Sequence, residues 1–467
     1  MRRSRKWMAA GLAAVMAFSL SACGGGGSSS GATTAAGAGD TAAAGSTAAG
    51  NTAAAGGKTE ITFWHAMGGV NGEATEALVK AFNESQDEIV VKSEYQGTYD
   101  DMITKLKATM QSGNMPDVCQ MYDIGTKFMT DSGYVIPVQD MFETTNFDPR
   151  TVMDIITSYY TVNGKQMSMP FNVSTPMLYY NKDAFKAAGL DPDTAPKTFD
   201  EVLEFSKKIV ESGAAPVGYA QAIYGWFFEQ QIAGQAQYYA DNENGRKAPA
   251  TAVEFDKNGT GLKIFETWKK LLDSGYAANY GSTTADTQTA FFAGQSAMII
   301  ESTAILKNAT NSSDFQIGTG YLPRIEENKD GGVIIGGASL WMMDNKDDAR
   351  KNAAWKFIEY STTPEAQANW SMSTGYFAIN PAAYEVPEMK KFIEDNPNFL
   401  TAISQLKDSP VNGYTAGVLS GVATEARTIF NEAMEKTYDG TYTPQEAVDY
   451  LAGKVNSAIE NYNASIK

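Results

Sequence analysis

The sequence predicts an α/β protein with two lobes and a ligand cleft between them. Short apolar strands are predicted at 59–64, 89–91 and 116–121, and the segments between them show helical periodicity. Strands that alternate with helices are typical of a mainly parallel sheet covered by helices. The same alternation returns after residue 176, and 467 residues suffice for two such units.

The second unit is predicted from segments of the same kind. Strands are expected at 177–180, 296–300 and 315–318, and a helix at 199–210 follows the capping residue Thr198. Ligands of open α/β sheets bind outside the carboxyl ends of the strands. Two such lobes in one chain therefore predict a binding cleft between them.

The N-terminus has the pattern of an export signal. Four basic residues within the first six precede an apolar run at 7–20, which is short for a membrane span. The run ends in Leu-Ser-Ala-Cys at 20–23, which resembles a bacterial lipobox. This resemblance implies a signal peptide at 1–22 and a lipid on Cys23 that anchors the chain outside the cytoplasm. Ordinary secretion with a chance cysteine is the alternative.

Residues 24–57 consist almost entirely of Gly, Ala, Ser and Thr, which cannot form a core. A flexible coil of this length spans about 30 Å, so the segment is predicted to be a leash. With Cys23 in the leader, Cys119 is left without a disulfide partner and is predicted to be a small buried hydrophobe. The formal net charge of −17 argues against nucleic acid as a partner.

Several segments, in order along the chain, resemble family 1 extracellular solute-binding proteins of ABC importers. They include 63–69, 96–99, 113–117, 170–183, 335–341 and 374–376. The resemblance implies a two-lobed periplasmic-binding-protein-like fold of type II, like that of maltose-binding protein, with a hinge and a central ligand cleft. It implies an N-terminal lobe at 58–170 plus 333–377 and a C-terminal lobe at 171–332 plus 378–467. The implied partners are a small-molecule ligand and the transmembrane subunits of an ABC permease, and the chain is expected to be a monomer.

Within this family the segments are most similar to members that bind sn-glycerol-3-phosphate. The resemblance implies sn-glycerol-3-phosphate or a glycerophosphodiester as the ligand. Arg427 would pair with the phosphate, Asp123 would accept from a glycerol hydroxyl, and the amide of Gly337 would donate. The full set of ligand-binding residues implied in this way is Tyr99, Asp123, Ser174, Trp226, Ser302, Gly337, Tyr376 and Arg427.

The chemistry of these residue types agrees with a small anionic ligand, because a guanidinium with hydroxyl and backbone donors suits an anion. Two positions depart from the relatives. Asp123 stands where they have a glutamate, and Ile223 stands where they have a second tryptophan, so Tyr224 is left as a possible replacement. A sugar or oligosaccharide is therefore the alternative ligand.

A secreted hydrolase acting on glycerophosphodiesters or glycosides is the alternative of another class. The sequence has one histidine, His65, and no G-x-S-x-G motif, which argues against metal and Ser–His–Asp chemistry. Its 54 acidic residues leave paired carboxylates open. We predict a binding protein and not an enzyme, with no cofactor and no metal, and His65 in a structural or pocket-lining role.

Overall fold

The computed structural model describes residues 57–466. The predicted signal peptide, Cys23 and all but the last residue of the predicted leash lie outside the described residues. Within 57–466, no helix has the length and apolar character needed to cross a bilayer.

The strands form two sheets and a short hairpin. In chain order they are β1 (Thr59–His65), β2 (Ile89–Tyr95), β3 (Val118–Tyr122), β4 (Val135–Ile136), β5 (Thr161–Val162), β6 (Lys165–Gln166), β7 (Met169–Ser174), β8 (Pro176–Asn181), β9 (Tyr219–Ala220), β10 (Ala277–Ala278), β11 (Met298–Ser302), β12 (Ile317–Gly320) and β13 (Gly336–Met343). The first sheet has the order β2-β1-β3-β13-β4, with β7 also paired to β13. The second has the order β10-β9-β11-β8-β12, and β5 pairs with β6.

Both sheets are mixed. Each contains parallel pairs, as predicted, but antiparallel pairs are at least as numerous, so the sheets are not mainly parallel. Strand β1 runs parallel to β2 and β3, whereas β13 is antiparallel to β3, β4 and β7. In the second sheet β9 runs parallel to β10 and β11, and β8 is antiparallel to β11 and β12. The chain passes from the first sheet into the second at β8, and it returns to the first sheet at β13. A strand that arrives in this way is not bound to the parallel sense that a helical crossover imposes.

The helices cover these sheets. In chain order they are α1 (Gly69–Ser85), α2 (Tyr99–Ser112), α3 (Thr126–Asp131), α4 (Gln139–Thr145), α5 (Asp154–Thr157), α6 (Lys182–Ala187), α7 (Phe199–Ser212), α8 (Gly225–Gly234), α9 (Asp241–Gly245), α10 (Thr260–Asp273), α11 (Thr284–Phe292), α12 (Leu306–Ser312), α13 (Asp348–Ser361), α14 (Pro364–Thr374), α15 (Pro387–Asp395), α16 (Thr401–Lys407), α17 (Ala423–Tyr438) and α18 (Pro444–Ser465). Helix α9 is a single turn with three left-handed residues. Threonine side chains cap α2, α7, α14 and α18, as this residue type favours.

The core residues follow the apolar pattern of the sequence. Met102, Leu106 and Met110 lie on the buried face of α2, against Cys119 and Trp341. Cys119 is fully buried, which confirms its prediction as a small hydrophobe. Burial also raises the pKa of its thiol, so the thiol stays protonated.

We expect Gly453→Ala to stabilise the protein by about 0.5–1 kcal/mol, because alanine loses less conformational freedom in a helix interior than glycine. Gly453 is an exposed residue of α18, and a Cβ placed there has nothing within 4 Å. Urea unfolding of the variant and the wild type measures the difference. The matched control is Gly261→Ala in α10, where the Cβ lies 3.0 Å from the carbonyl oxygen of Phe255 and stability should not rise. A loss of stability in Gly453→Ala would contradict the expectation.

Candidate functional site

Arg427 lies on α17 and is buried between α8 and the end of β3. Its Nε and Nη2 donate to Oε1 and Oε2 of Glu229, at 2.8 and 2.7 Å. Nη2 also donates to Oδ2 of Asp123 at 3.2 Å. Its guanidinium carbon lies 5.7 Å from the centre of the Tyr224 ring. Burial alone would lower the pKa of Arg427, but the two carboxylates outweigh it and hold the pKa well above its usual range.

Asp123 reaches this arginine from the first sheet. It follows β3 directly and begins the short 3-10 helix Asp123–Gly125, with 5 % of its surface exposed. Burial raises the pKa of Asp123, although Arg427 acts in the opposite direction. The hydrogen bond from Arg427 to Asp123 therefore joins the carboxyl end of a strand in one sheet to a helix beside the other.

Glu229 was missed by the sequence analysis. It lies on α8, three residues after Trp226, and every residue of this helix is buried. A glutamate in a buried helix needs a partner of opposite charge, so the apolar residues around Glu229 indicate that such a partner exists. The sequence does not identify the partner, because it lies 198 residues away in the chain. Together Glu229, Asp123 and Arg427 form a buried cluster of two carboxylates and one guanidinium, which we call the charge cluster.

Tyr99 and Tyr376 lie near the side-chain amide of Asn172. The Asn172 side chain donates to the Tyr99 hydroxyl at 3.1 Å. The Asn172 oxygen accepts from Gln120 at 2.8 Å, which fixes the orientation of the amide. The ring of Tyr99 stacks on that of Tyr122 with centres 4.9 Å apart. Burial raises the pKa of Tyr99, and so, to a smaller extent, do Tyr376 and Asp123.

Trp226 lies against the start of β13. A Cβ added at Gly336 would come within 2.5 Å of its indole ring, so the glycine permits this approach. The indole Nε1 is buried and has no hydrogen-bond partner among the described residues. Gly337, at φ +90°, lies so close to Asn172 that a Cβ would fall 1.9 Å from the carbonyl oxygen of Asn172.

Tyr224 supplies an aromatic wall that the sequence left open. Its ring lies beside Arg427, and its centre is 6.3 Å from that of Trp226. Ile223, one residue before Tyr224, is 1 % exposed and belongs to the core. The aromatic ring on this side of the site therefore comes from the next residue along the chain.

The two serines lie beside each other at strand ends. Ser174 ends β7 and Ser302 ends β11, and the amide of Thr303 donates to the carbonyl of Thr175 at 3.0 Å. The hydroxyl of Ser302 accepts from the amide of Ala304 and caps the following turn. The backbone of Gly375 adjoins the carbonyl of Thr303. Tyr376 is therefore brought to the same place as the serines.

Glu301 is a second buried carboxylate that sequence analysis did not single out. Its oxygens accept from the amide of Ser302 at 2.7 Å and from Gln288 at 3.1 Å. Burial raises the pKa of Glu301 to about 7, and these two hydrogen bonds act in the opposite direction.

We expect Glu301→Gln to remove part of the pH dependence of stability. The folded protein binds the Glu301 proton more tightly than the unfolded chain, so this group lowers stability as the pH rises from about 4.5 through 7. Between pH 5 and 8 the wild type should lose on the order of 2 kcal/mol relative to the variant. Urea unfolding at both pH values measures this difference. Parallel behaviour of the two proteins would contradict it.

Further contacts join the two sides of the cleft near the charge cluster. The hydroxyls of Tyr122 and Thr424 lie 2.9 Å apart, and the Tyr462 hydroxyl donates to Asp131 at 2.6 Å. Tyr122 and Asp131 belong to β3 and α3, whereas Thr424 and Tyr462 belong to α17 and α18. The structure therefore has the two sides of the cleft in direct contact.

His65 ends β1 and is 2 % exposed. Its Nδ1 accepts from the amide of Met67 at 3.3 Å, and its ring packs against Phe63 and Tyr95. Burial is the main reason that the pKa of His65 is lowered, so the imidazole is neutral near pH 7. These contacts agree with the predicted structural role.

The comparisons with known proteins give the family and the fold. A family model described as bacterial extracellular solute-binding protein matches residues 77–401. The sn-glycerol-3-phosphate-binding periplasmic protein UgpB of Pectobacterium atrosepticum is 34% identical over 416 residues, which cover 88% of this chain and 93% of that protein. The protein of the same name from Escherichia coli K12 is 33% identical over 418 residues, covering 88% and 94%.

Solved structures agree on the fold. UgpB of Mycobacterium tuberculosis in complex with glycerophosphocholine has a TM-score of 0.75 at 23% identity, covering 87% of this chain and 100% of that one. The cyclic α-maltosyl-1,6-maltose binding protein of Arthrobacter globiformis has a TM-score of 0.72 at 23% identity, with the same coverage. The predicted two-lobed, maltose-binding-protein-like fold is thereby confirmed. The chain belongs to the family of bacterial extracellular solute-binding proteins.

Proposed function

We propose that this chain captures a glycerol phosphate compound, sn-glycerol-3-phosphate or a glycerophosphodiester, and delivers it to the transmembrane subunits of an ABC importer. Two relatives that are 33–34% identical over 88% of the chain are named as sn-glycerol-3-phosphate-binding proteins. The observation that carries the proposal is the position of Arg427, a buried guanidinium at the junction of the two sides of the cleft. Such a group is the cation of choice for a phosphate in a desolvated site.

In the proposed complex the phosphate contacts Arg427 through Nη1, which has no hydrogen-bond partner among residues 57–466. Asp123 accepts from a glycerol hydroxyl. The indole N–H of Trp226 has no partner in the portion of the unliganded protein that the structure describes, and a buried donor without a partner costs free energy. In the complex this N–H donates to the ligand. The remaining contacts come from Tyr99, Ser174, Ser302, Gly337 and Tyr376.

Capture occurs by closure of the two lobes about a hinge. The predicted lobes are 58–170 plus 333–377 and 171–332 plus 378–467. The chain passes between the two sheets at Thr175 and again between β12 and β13, which supports hinge segments near 171–175 and 323–337. A third passage is proposed at 376–381. A ligand that contacts both lobes selects the closed state, because only this state makes all the contacts.

The chain acts outside the cytoplasm, as a monomer tethered to the membrane. Cleavage before Cys23 and lipidation of its sulfur provide the anchor, and 24–57 form the leash. The proposal also holds that the chain is not an enzyme, because its relatives are named as binding proteins.

Calorimetric titration of the purified protein with sn-glycerol-3-phosphate, glycerophosphocholine and maltotriose tests the function. We expect micromolar or tighter binding of at least one glycerol phosphate compound and no binding of maltotriose. At a ligand concentration of about 100 Kd, binding should stabilise the protein by about 2.7 kcal/mol. The ligand should be recovered intact. Binding of maltotriose alone would favour the oligosaccharide alternative, and turnover of glycerophosphocholine would favour the hydrolase.

A further inference from the structure

The charge cluster restricts how Arg427 can serve a ligand. Glu229 occupies Nε and Nη2 in a bidentate pair, and Asp123 shares Nη2. Only Nη1 lacks a hydrogen bond within the described part of the chain. A phosphate that binds without expelling Glu229 therefore gains a single donor from this arginine, instead of the two-pronged contact that a guanidinium offers to a bare anion.

We propose that Glu229 sets the charge selectivity of the site, so that the protein takes glycerophosphodiesters in preference to the phosphomonoester. This inference rests on the proposed function and specifies its ligand. A phosphodiester carries one negative charge, whereas a phosphomonoester carries about −1.5 to −2 at pH 7. The carboxylate of Glu229 repels the additional charge of the monoester.

The charges of the cluster explain the preference. With Asp123 and Glu229 both ionised, the two carboxylates and one guanidinium carry one net negative charge before any ligand enters, and all three side chains are less than one-tenth exposed. Each further negative charge is repelled strongly, because charges interact more strongly in a buried site than in water. The second charge of a monoester therefore adds a repulsion that a singly charged diester does not meet.

Another buried cation, Arg246, does not offset this excess. It lies on the far side of Tyr159, with its guanidinium carbon 5.1 Å from the ring centre. Its nitrogens donate to the backbone carbonyls of Ser158, Tyr159, Ala416 and Gly417. Four of its five N–H donors are thus occupied by backbone carbonyls, and none of these bonds reaches the charge cluster.

Aromatic rings lie around the charge cluster and would flank the second alcohol of a diester. Tyr99 and Tyr122 form one stacked wall, and Tyr224 and Trp226 form another. Aromatic faces next to an excess of negative charge favour a cationic group. Glycerophosphocholine, whose choline is cationic, should therefore bind at least as tightly as a diester with a neutral alcohol.

Calorimetric titration with three ligands tests the inference. The ligands are sn-glycerol-3-phosphate, glycerophosphoglycerol and glycerophosphocholine, applied at pH 8 to the wild type, Glu229→Gln and Glu425→Gln. The wild type should bind both diesters at least about tenfold more tightly than the monoester. Glu229→Gln keeps a hydrogen-bond acceptor for Arg427 but removes the charge, and it should reduce this gap by about tenfold through tighter binding of the monoester. Glu425 is exposed on the same helix, so Glu425→Gln should leave the gap unchanged.

The outcomes separate this inference from the function on which it rests. If the wild type binds the monoester as tightly as the diesters, the role assigned to Glu229 is wrong and the proposed function stands. The inference is also overturned if folded Glu229→Gln keeps the same difference in affinity between the diesters and the monoester. If none of the three ligands binds the wild type, the proposed function itself fails. Should Glu229→Gln not fold, as judged by its unfolding transition, the ranking of ligands by the wild type decides.

Discussion

Replacing Arg427 by alanine should weaken the binding of glycerol phosphate compounds by more than about hundredfold. The variant loses the cation of the proposed phosphate contact, and truncating one partner of a buried charged pair typically costs 2–5 kcal/mol of binding free energy. It also leaves Asp123 and Glu229 facing each other without a counter-charge. Calorimetric titration of glycerophosphocholine against the variant and the wild type measures the loss.

The same substitution should destabilise the unliganded protein by about 3 kcal/mol, because it leaves two buried carboxylates uncompensated. Urea unfolding separates this effect from the loss of binding. The matched control is Arg150→Ala, which removes an exposed arginine paired with Asp148 and should alter neither quantity measurably. Unchanged ligand affinity in folded Arg427→Ala would contradict the role of this residue.

Gly337→Ala should destabilise the protein by about 3 kcal/mol or more. Two costs add at this position: alanine is strained at φ +90°, and its Cβ would lie 1.9 Å from the carbonyl oxygen of Asn172. The neighbouring strands must move apart to accept it. Since the Asn172 side chain holds the Tyr99 hydroxyl, the shift should also weaken ligand binding. Urea unfolding and calorimetric titration measure the two effects.

The control for this variant is Gly453→Ala, in which the same methyl group enters open space on α18. The difference in stability between the two variants separates the local constraint at Gly337 from any general effect of replacing glycine by alanine. Equal stability of the two variants would show that β7 and β13 can separate freely at the hinge, against the close packing seen here.

Much of the fold was predictable because local patterns specify it. The strand β1, the amphipathic helix α2 and the threonine caps each follow from residues close together in the sequence. The antiparallel direction of β8 and β13 relative to their neighbours was not predictable in this way. The direction of each strand depends on which sheet the chain comes from, and the hydrophobic periodicity within a strand does not indicate this.

The site shows the same division. Asp123 and Arg427 were predicted from a resemblance, and the structure brings them to 3.2 Å from each other across the cleft. Glu229 was missed because its pairing with Arg427 depends on the mutual approach of α8 and α17 in three dimensions. Tyr224 was left open for a related reason, since the rotation of a helix start decides which neighbouring side chain faces the cleft.

A crystal structure of the complex with glycerophosphocholine tests the central claim most directly. We predict one phosphate oxygen within hydrogen-bonding distance of Arg427 Nη1, with Glu229 still paired to the other edge of the guanidinium and both lobes in contact with the ligand. A ligand bound between the lobes without any contact to Arg427, or bound outside the cleft, would contradict it.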